Sequence, residues 1–224
     1  MAQVRYENMF FREYFECGQM KMSLEKCVKT KIETHLEIPH QVNGVPVTKI
    51  ESNAFFGIKK LVSVKCPDTI DRIGRFAFMH CSNLERFEFY NTATGPSGLL
   101  YIESNVFEGC ESLKVFKAAF PIRRVESMVF KNCRKLEQVD AFVQVWGHKV
   151  FLGCDNLCCV TISDKGSWQV DSFIKAKRLK DFYFVGTVDV NQSCLNVISK
   201  KKLHCTPKFN HLDLLYTGTS IKFV

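Results

Sequence analysis

A spaced set of apolar residues recurs six times along the chain and constrains its fold more than any other feature. In each copy, an apolar residue stands five positions before a Phe. A Cys or apolar residue, a Leu and a final apolar residue follow that Phe at intervals of three. The six Phe are Phe55, Phe78, Phe107, Phe130, Phe151 and Phe173. A unit of this size cannot bury its apolar side alone, so the copies must stack and share one core. We therefore predict a solenoid in which the six Phe form a structural core column.

Each copy also predicts its own local structure. The segment after the Leu alternates apolar and polar residues, as in Leu-Glu-Arg-Phe-Glu-Phe at 84–89, which is typical of a half-buried strand. The segment from Phe to Leu, such as residues 107–113, places apolar residues three apart and indicates one helical or 3₁₀ turn. The predicted fold class is an α/β repeat solenoid, mostly β. It is a curved stack with a parallel β-sheet on one face, short helical or 3₁₀ turns, and a cap at each end.

The frame divides the chain into three parts. Residues 1–48 are predicted to form an N-terminal cap and the first strands. Residues 49–185 hold the six repeats, with a turn-rich insertion near 91–98, and residues 186–224 form a degenerate repeat and a C-terminal cap. The aromatic cluster that we expect to close the N-terminal end of the core consists of Phe10, Phe11, Tyr14 and Phe15.

The repeated residues resemble a known family. The element Ala-Phe-x-x-Cys-x-x-Leu, seen at residues 77–84, is similar to the core motif of BspA-type leucine-rich repeats, and residues 38–55 resemble the opening of such a domain. The resemblance covers about residues 36–185, although Ile58 and Ala176 stand where the motif has Cys. It implies a non-enzymatic interaction domain of the kind found at cell surfaces in bacteria and protists.

Composition bears on location. No apolar run approaches the ~20 residues that cross a bilayer. Residues 1–13 place acids and Arg where a secretory signal has its apolar core. The chain has eleven Cys, an odd count, and four of them (Cys81, Cys110, Cys133, Cys154) occupy one repeat position. This pattern favours reduced structural thiols and a reducing compartment. We predict a cytoplasmic location, while the resemblance implies a cell-surface one.

No arrangement of residues indicates catalysis. The six His are scattered, and neither a nucleophile–base pattern nor a Gly-rich phosphate loop is present. We predict no catalytic residues, no enzyme activity and no cofactor. The vicinal pair Cys158-Cys159 lies at the start of a predicted strand, where neighbouring side chains should point to opposite sides. Joint ligation of a metal ion is therefore not expected, and no metal site is predicted.

The net charge of +8 is concentrated towards the C-terminus. The basic patch consists of Lys175, Lys177, Arg178, Lys200, Lys201 and Lys202. Such a patch can bind nucleic acid or an anionic surface, or it can be a solvated rim. We favour the solvated rim and do not expect nucleic acid as a partner, because no aromatic residues suited to base stacking interleave with the lysines.

Stacking the predicted strands in register gives two outward columns. The residue after the repeat Leu runs Val62, Glu85, Lys114, Glu137, Cys158, Lys180, and the residue four after it runs Lys65, Glu88, Lys117, Asp140, Thr161, Tyr183. Both columns alternate in sign through the fourth repeat, so we predict ion pairs across neighbouring strands and a charge-balanced face poorly suited to phosphate. We also expect Lys131 to be exposed and replaceable at little cost.

The predicted function is a non-enzymatic module that presents the strand face to a protein partner and is itself a monomer. Its predicted partner-binding residues are those at which the charged columns end: Cys158, Cys159, Thr161, Lys180, Asp181 and Tyr183. The alternatives are a nucleic-acid or anionic-surface binder acting through the basic patch, and an adhesin-like domain. Trp146 and Trp168 share the leading apolar position of the frame, either as a wider core layer or as an exposed pair that anchors a partner.

Overall fold

The computed structural model of the protein describes residues 3–28, 33–93, 95, 99–163, 167–168, 170–173, 178–179, 181–185, 202–205 and 221–223. Strands dominate, and the one helix in this part of the chain is the 3₁₀ helix Val170–Phe173. The strands are β1 (Gln3–Tyr6), β2 (Met9–Glu16), β3 (Gln19–Cys27), β4 (His35–Glu37), β5 (Gln41–Val42), β6 (Val45–Ile50), β7 (Ser63–Pro67), β8 (Arg72–Ile73), β9 (Arg86–Tyr90), β10 (Leu100–Ile102), β11 (Val115–Val125), β12 (Gln138–Trp146), β13 (Cys159–Ser163), β14 (Ser167–Trp168), β15 (Asp181–Val185), β16 (Lys202–Cys205) and β17 (Ile221–Phe223).

One parallel ladder runs along the solenoid and contains one strand from each repeat. It follows the order β4, β7, β9, β11, β12, β13, β15, β16, β17, and we call it the long ladder. Its strands are the predicted ones: the last apolar residue of each repeat pairs with its counterpart, so that Val64, Phe87 and Phe116 are partners in turn. All three are buried. The predicted fold class, a mostly β repeat solenoid with a parallel sheet, is confirmed.

A second parallel ladder, the short ladder, was not predicted. It joins β3, β6, β8, β10, β11, β12 and β14 through the leading apolar residue of each repeat. Ile50 pairs with Ile73, which pairs with Ile102, and all three are buried. Strands β11 and β12 are long enough to belong to both ladders. The leading apolar position of the frame is therefore the inward position of a second ladder in the same sheet.

The segment between Phe and Leu turns as predicted. The Cys81 amide donates to the Phe78 carbonyl (3.1 Å), and the Leu84 amide donates to the Cys81 carbonyl (3.0 Å), which are the three-residue steps of a 3₁₀-type turn. Neighbouring turns are also bonded to each other, since the Phe55 amide donates to Ala77 (2.8 Å). The backbone of each turn is thus paired within its own repeat and with the next one.

Two positions in each of the first five repeats have a left-handed backbone, at the residues two before and two after the Phe. They are Asn53, Phe76, Asn105, Met128 and Lys149 before it, and Gly57, His80, Gly109, Asn132 and Gly153 after it. Gly and Asn adopt this conformation most readily. Their recurrence at these positions is a sequence signal of two sharp bends. Other side chains in this region cost roughly 1–2 kcal/mol each.

The Phe column is continuous through the described repeats. Successive rings stack nearly parallel, with centroids 4.8 Å apart for Phe55 and Phe78 and 5.5 Å for Phe78 and Phe107. Phe130 follows at 5.6 Å and Phe151 at 5.7 Å. All five rings are fully buried. The predicted sixth member, Phe173, ends the 3₁₀ helix, and its side chain lies outside the described part of the chain.

The Cys column runs beside the Phe column, and each of its thiols bonds to the preceding repeat. The thiol of Cys110 donates to the Phe78 carbonyl (3.2 Å), and that of Cys133 donates to the Phe107 carbonyl (3.1 Å). Cys81 and Cys154 make the same bond to Phe55 and Phe130, at 3.1 and 2.9 Å. All four are buried, and burial raises the pKa of the Cys110 and Cys133 thiols well above the ordinary value.

The N-terminal cap differs from the expectation of an aromatic cluster in the core. Strand β2 pairs antiparallel with β1 and β3, and its period-two alternation turns Met9 and Phe11 inward. Phe10 instead lies on the outside, beneath the Lys26 ammonium at 5.2 Å, and Phe15 is 64% exposed. Of the four predicted aromatic residues, only Phe11 is fully buried in the core.

Three further expectations concern the two tryptophans, Lys131 and the domain boundaries. Trp146 is fully buried with its ring centroid 5.4 Å from that of Phe151, so it belongs to the core layer; the side chain of Trp168 lies outside the described part. The expectation for Lys131 is wrong. Its side chain is 30% exposed and its ammonium lies 2.7 Å from the buried Glu108 carboxylate. The domain boundaries near residues 48 and 185 stay a prediction. The ladders cross both positions, because β6 spans residue 48 and β15 pairs with β16.

Candidate interaction surface

The outward residues of the long ladder form the columns that the sequence predicts. Lys65 pairs in register with Glu88, Glu88 with Lys117, and Lys117 with Asp140. Alternation along each strand turns these side chains away from the core, because their neighbours Val64, Phe87, Phe116 and Val139 are buried. The register between the repeats therefore assembles residues about 23 positions apart into one surface.

The predicted ion-pair ladders are only partly formed. Lys114 lies 2.9 Å from the Glu85 carboxylate, and its hydrogen bond lowers the pKa of Glu85. Within the described residues, Glu137, Glu88, Lys117 and Asp140 form no ion pair closer than 4.0 Å, so that part of the prediction is wrong. An exposed pair contributes at most about 1 kcal/mol, and ordering two long side chains offsets it. Among the described residues, the column therefore keeps charges that are not in ion pairs.

The predicted partner-binding residues lie where the charges end. Cys158, Cys159 and Thr161 are each half-buried. In the register of β13 and β15, Cys159 stands opposite Asp181 and Thr161 opposite Tyr183. Four of the six residues are thus on adjoining strands. Lys180 and the side chains of Asp181 and Tyr183 lie outside the described part of the chain.

The expectation that Cys158 and Cys159 diverge is wrong. Their sulfur atoms are 3.5 Å apart. Both backbone amides donate to the carbonyl oxygen of Glu137, at 2.9 and 3.2 Å, and the Cys158 thiol donates to the same oxygen at 3.2 Å. Two successive amides that point to one acceptor require a bend, so regular strand alternation begins only at Cys159, the first residue of β13.

A shallow cleft of ≈ 660 Å³ lies beside the vicinal cysteines. It is lined by Glu137, Asn156, Cys158 and Arg178. Arg178 is exposed and donates to the Asn156 side-chain oxygen at 2.8 Å. Of the predicted basic patch, Arg178 is therefore the member whose side chain is described. Lys175, Lys177, Lys200 and Lys201 lie outside the described residues, as does the side chain of Lys202, whose backbone begins β16.

A second cleft lies on the charged part of the long ladder, with a volume of ≈ 320 Å³. Glu85, Arg86, Phe87, Glu88, Lys114, Val115 and Lys117 line it. Its floor is the boundary between β9 and β11, where the Glu85–Lys114 pair stands on one side and the unpaired Glu88 and Lys117 on the other. The cleft combines an apolar floor with charges of both signs.

The outward residues of the short ladder were missed by the sequence argument. Lys49 pairs in register with Arg72, Arg72 with Tyr101, and Tyr101 with Arg124. Each cation has an acidic neighbour: Lys49 lies 3.0 Å from Glu16, Arg72 lies 3.0 Å from Glu103, and Arg124 lies 2.7 Å from Glu126. The sequence signal for this surface is a basic residue directly before the leading apolar residue, as in Lys49, Arg72 and Arg124. These basic residues line one surface, but their ion pairs with acidic residues neutralise its charge.

The described residues also bear on metal binding and on membrane crossing. They contain no group of three or more His, Cys, Asp or Glu side chains that could hold a metal ion. Nor does any helix in this part of the chain have the length and hydropathy that a bilayer crossing requires.

Comparisons with known proteins agree with this architecture. A family model described as BspA type leucine rich repeat region matches in six copies, over residues 27–157 and 90–204. Leucine-rich-repeat proteins generally act in protein interaction or adhesion, and their fold is typically a non-enzymatic scaffold. No curated protein matches the chain.

Two solved structures share the fold. One is the leucine-rich-repeat protein of T. pallidum, with a TM-score of 0.53 and 17% identity over 99% of this chain and 82% of that one. The other, from Bacteroides capillosus ATCC 29799, has a TM-score of 0.50 and 21% identity over 72% of this chain and 99% of that one. At these identities the likeness shows the fold alone, while the family follows from the repeat match: the chain belongs to the BspA-type leucine-rich-repeat family.

Proposed function

We propose that this chain is a non-enzymatic binding module, a monomer that holds a protein partner on the outward face of the long ladder. The binding residues we propose are the ones at which the charged columns end, in the fifth and sixth repeats. They are Cys158, Cys159, Thr161, Lys180, Asp181 and Tyr183. The observation that carries the proposal is the register of β13 and β15, which sets Thr161 opposite Tyr183. Cys158, directly before β13, lines an open cleft.

The distribution of charge supports this location. Protein interfaces tend to have a core depleted of charge and a polar rim. The half-buried Cys158, Cys159 and Thr161 are uncharged, while Glu137 and Arg178 line the adjoining cleft. Tyr183 adds a residue type that is enriched among the strongest contributors to binding. The patch therefore has the composition expected of an interface centre with charged edges.

A second candidate location on the same face is the cleft between β9 and β11. The unpaired Glu88 and Lys117 favour it, because a partner that supplies the opposite charges would not have to break an existing ion pair. Charges at such a site would contribute mainly to the association rate and to specificity. A partner bound there would depend on Glu88 and Lys117 rather than on Thr161.

Nucleic-acid or anionic-surface binding is a weaker alternative on the described surfaces. The cations of the short ladder are bound to acidic neighbours, and those of the long ladder alternate with acids. Binding through the basic patch would have a steep dependence on salt concentration. We expect at most a weak complex that disappears at physiological salt.

A cytoplasmic location remains our proposal. The four thiols of the Cys column support it, because each donates a hydrogen bond that only the reduced, protonated form can make. Oxidation of these thiols would break a bond between repeats. Many relatives in the family are found at cell surfaces, and an adhesin-like role is the alternative that goes with that location.

Site-specific photo-cross-linking in the native cell tests the proposed surface. A photoreactive amino acid replaces Thr161 in one variant, Lys117 in a second, and the exposed turn residue Lys60 in a control. We expect one discrete protein adduct from Thr161 and none from Lys60. Unlabelled wild-type protein should compete with that adduct, and Thr161→Arg protein should not. An adduct from Lys117 alone moves the site to the second cleft, and adducts from Lys60 alone contradict the proposal.

A further inference from the structure

We propose that Cys158 and Cys159 form a two-thiolate site for a soft, thiophilic metal or metalloid ion. The inference rests on the two sulfur atoms, which lie 3.5 Å apart at the start of β13, and on the open cleft that Cys158 lines. It does not depend on a protein partner for this surface. Soft thiolate ligands select soft ions over the hard cations that prefer oxygen.

The repeat itself creates this arrangement. In the second and fifth repeats, the two residues after the Leu direct their amides to one carbonyl of the preceding repeat: Glu85 and Arg86 to Val62, Cys158 and Cys159 to Glu137. In the fifth repeat the two side chains lie on one side of the chain, with their sulfurs 3.5 Å apart. The same positions of the second repeat hold Glu85 and Arg86. Only the fifth repeat places two thiols at this bend, among the described repeats.

The sulfur separation fits a chelate better than a disulfide. With metal–sulfur bonds of about 2.3 Å, sulfurs 3.5 Å apart subtend an angle of roughly 100° at the ion. That angle is close to tetrahedral, so binding needs little movement. A disulfide would require the sulfurs to approach to about 2.05 Å, and adjacent Cα atoms about 3.8 Å apart fall below the usual disulfide range. A bond between these neighbours would be strained and readily reduced.

Among the described residues, none completes the coordination of an ion bound by the two thiols. The described residues offer no third His, Cys, Asp or Glu ligand close enough to complete a metal cluster. A closed four-ligand zinc site is therefore not formed by these residues, since structural zinc takes four protein ligands. The chemistry fits an ion that is satisfied by two sulfurs plus a ligand of its own. An organic trivalent arsenical has this property and is the probe we choose.

The binding reaction balances without an oxidant. Phenylarsine oxide reacts with the two thiols so that two S–H bonds break and two As–S bonds form. The oxygen of the arsenical leaves as water with the two protons. The hydrogen bond from the Cys158 thiol to Glu137 is lost, but both backbone amides still donate to that carbonyl.

The experiment titrates the reduced full-length chain with phenylarsine oxide in the presence of excess glutathione and measures bound arsenical by mass spectrometry. We expect one arsenical per wild-type chain, retained against the monothiol and removed by a small dithiol. Cys158→Ser and Cys159→Ser should each weaken binding by about 100-fold or more, because the second bond is then no longer intramolecular. Cys17→Ser removes an exposed lone thiol and should leave binding unchanged.

A second measurement uses the wild-type protein and so does not depend on the folding of a variant. The loaded chain is alkylated and digested, and the protected cysteines are identified. Protection of Cys158 and Cys159 together supports the site. Protection of any other pair, retention of the arsenical in both serine variants, or complete loss of the wild-type adduct to glutathione overturns the proposal.

Discussion

The interior columns and the outward columns pass through the same repeats but follow different rules. Inside, the Phe position holds the same residue in every described copy, and each ring stacks on the next at 4.8–5.7 Å. Outside, the column that contains Glu88 and Lys117 changes residue at every step, and these two neighbours form no ion pair. An interior side chain must fit two copies of itself, whereas an outward one has water on one side. The repeat thus fixes the fold and leaves the surface free for recognition.

Truncation in the Phe column should have the largest effect on stability. We expect Phe107→Ala to lower the free energy of unfolding by about 3–5 kcal/mol, because it opens a cavity between Phe78 and Phe130. The exposed Lys117→Ala should change it by less than about 0.5 kcal/mol. Urea unfolding measures both. Equal, small changes would show that the interior and outward columns do not differ as described.

The Cys column should make stability fall at alkaline pH. Burial raises the pKa of Cys133, so the folded chain keeps that proton while the unfolded chain loses it above about pH 8.5. The folded state binds more protons in this range, and its stability decreases as pH rises. By pH 9.5 each such thiol removes about 1.4 kcal/mol.

The variant Cys133→Ala isolates this effect. The stability difference between wild type and Cys133→Ala should shrink by about 1.4 kcal/mol from pH 7 to pH 9.5, since the variant has no thiol to titrate. Cys17→Ala, at an exposed position, provides the control and should show no such change. Urea unfolding under reducing conditions gives both values. A difference that stays constant or widens with pH would contradict burial of a protonated Cys column.

A substitution at one left-handed bend should raise the stability of the protein. The residues at the same bend in other repeats indicate which substitution to make. Met128 has φ 60, at the position where Asn53 and Asn105 have φ 63. Asn tolerates this conformation better than Met. We expect Met128→Asn to raise the free energy of unfolding by about 0.5–1 kcal/mol, as compatible substitutions at such sites commonly do. Met128→Val, β-branched at the same position, should lower it. A loss with Asn as large as with Val would show that this side chain is needed for packing.

The outward pairs should give the smallest effect. A double-mutant cycle on Glu85 and Lys114, which are 2.9 Å apart, should give a small favourable coupling that decreases as salt is added. The same cycle on Glu88 and Lys117 should give a coupling near zero. Both values come from thermal or urea unfolding of the four proteins in each cycle. Equal couplings would remove the distinction between the paired and the unpaired part of the column.

Much of the fold was predictable because the same spacing of apolar residues recurs in each repeat. The spacing of Ile73, Phe78, Cys81, Leu84 and Phe87 indicates an inward residue, a turn and a strand, and the structure has all three. The second ladder was not predicted, since a two-residue strand such as β8 has too few residues to show alternation. The bends were overlooked although Asn and Gly mark them at four of the five described copies.

The candidate site was less predictable. Which outward residues share a column follows from the repeat period, and the register of Lys65, Glu88, Lys117 and Asp140 was correctly anticipated. Which of them form ion pairs was not. Long exposed side chains have many rotamers, and their pairing depends on differences of less than about 1 kcal/mol. The sequence pattern contains no information at that scale.

The sequence by itself determined the repeat unit, the inward residues and the order of the strands, because burying apolar residues at a fixed period admits one way of stacking. The tertiary structure decided the local directions of side chains. Cys158 and Cys159 are neighbours in sequence, and regular strand alternation would place their side chains on opposite sides of the strand. Their sulfurs nevertheless lie 3.5 Å apart. The cause is a carbonyl of the preceding repeat, that of Glu137, which both amides share. A contact made by a residue some twenty positions away thus sets the geometry of a pair that the local sequence alone misassigns.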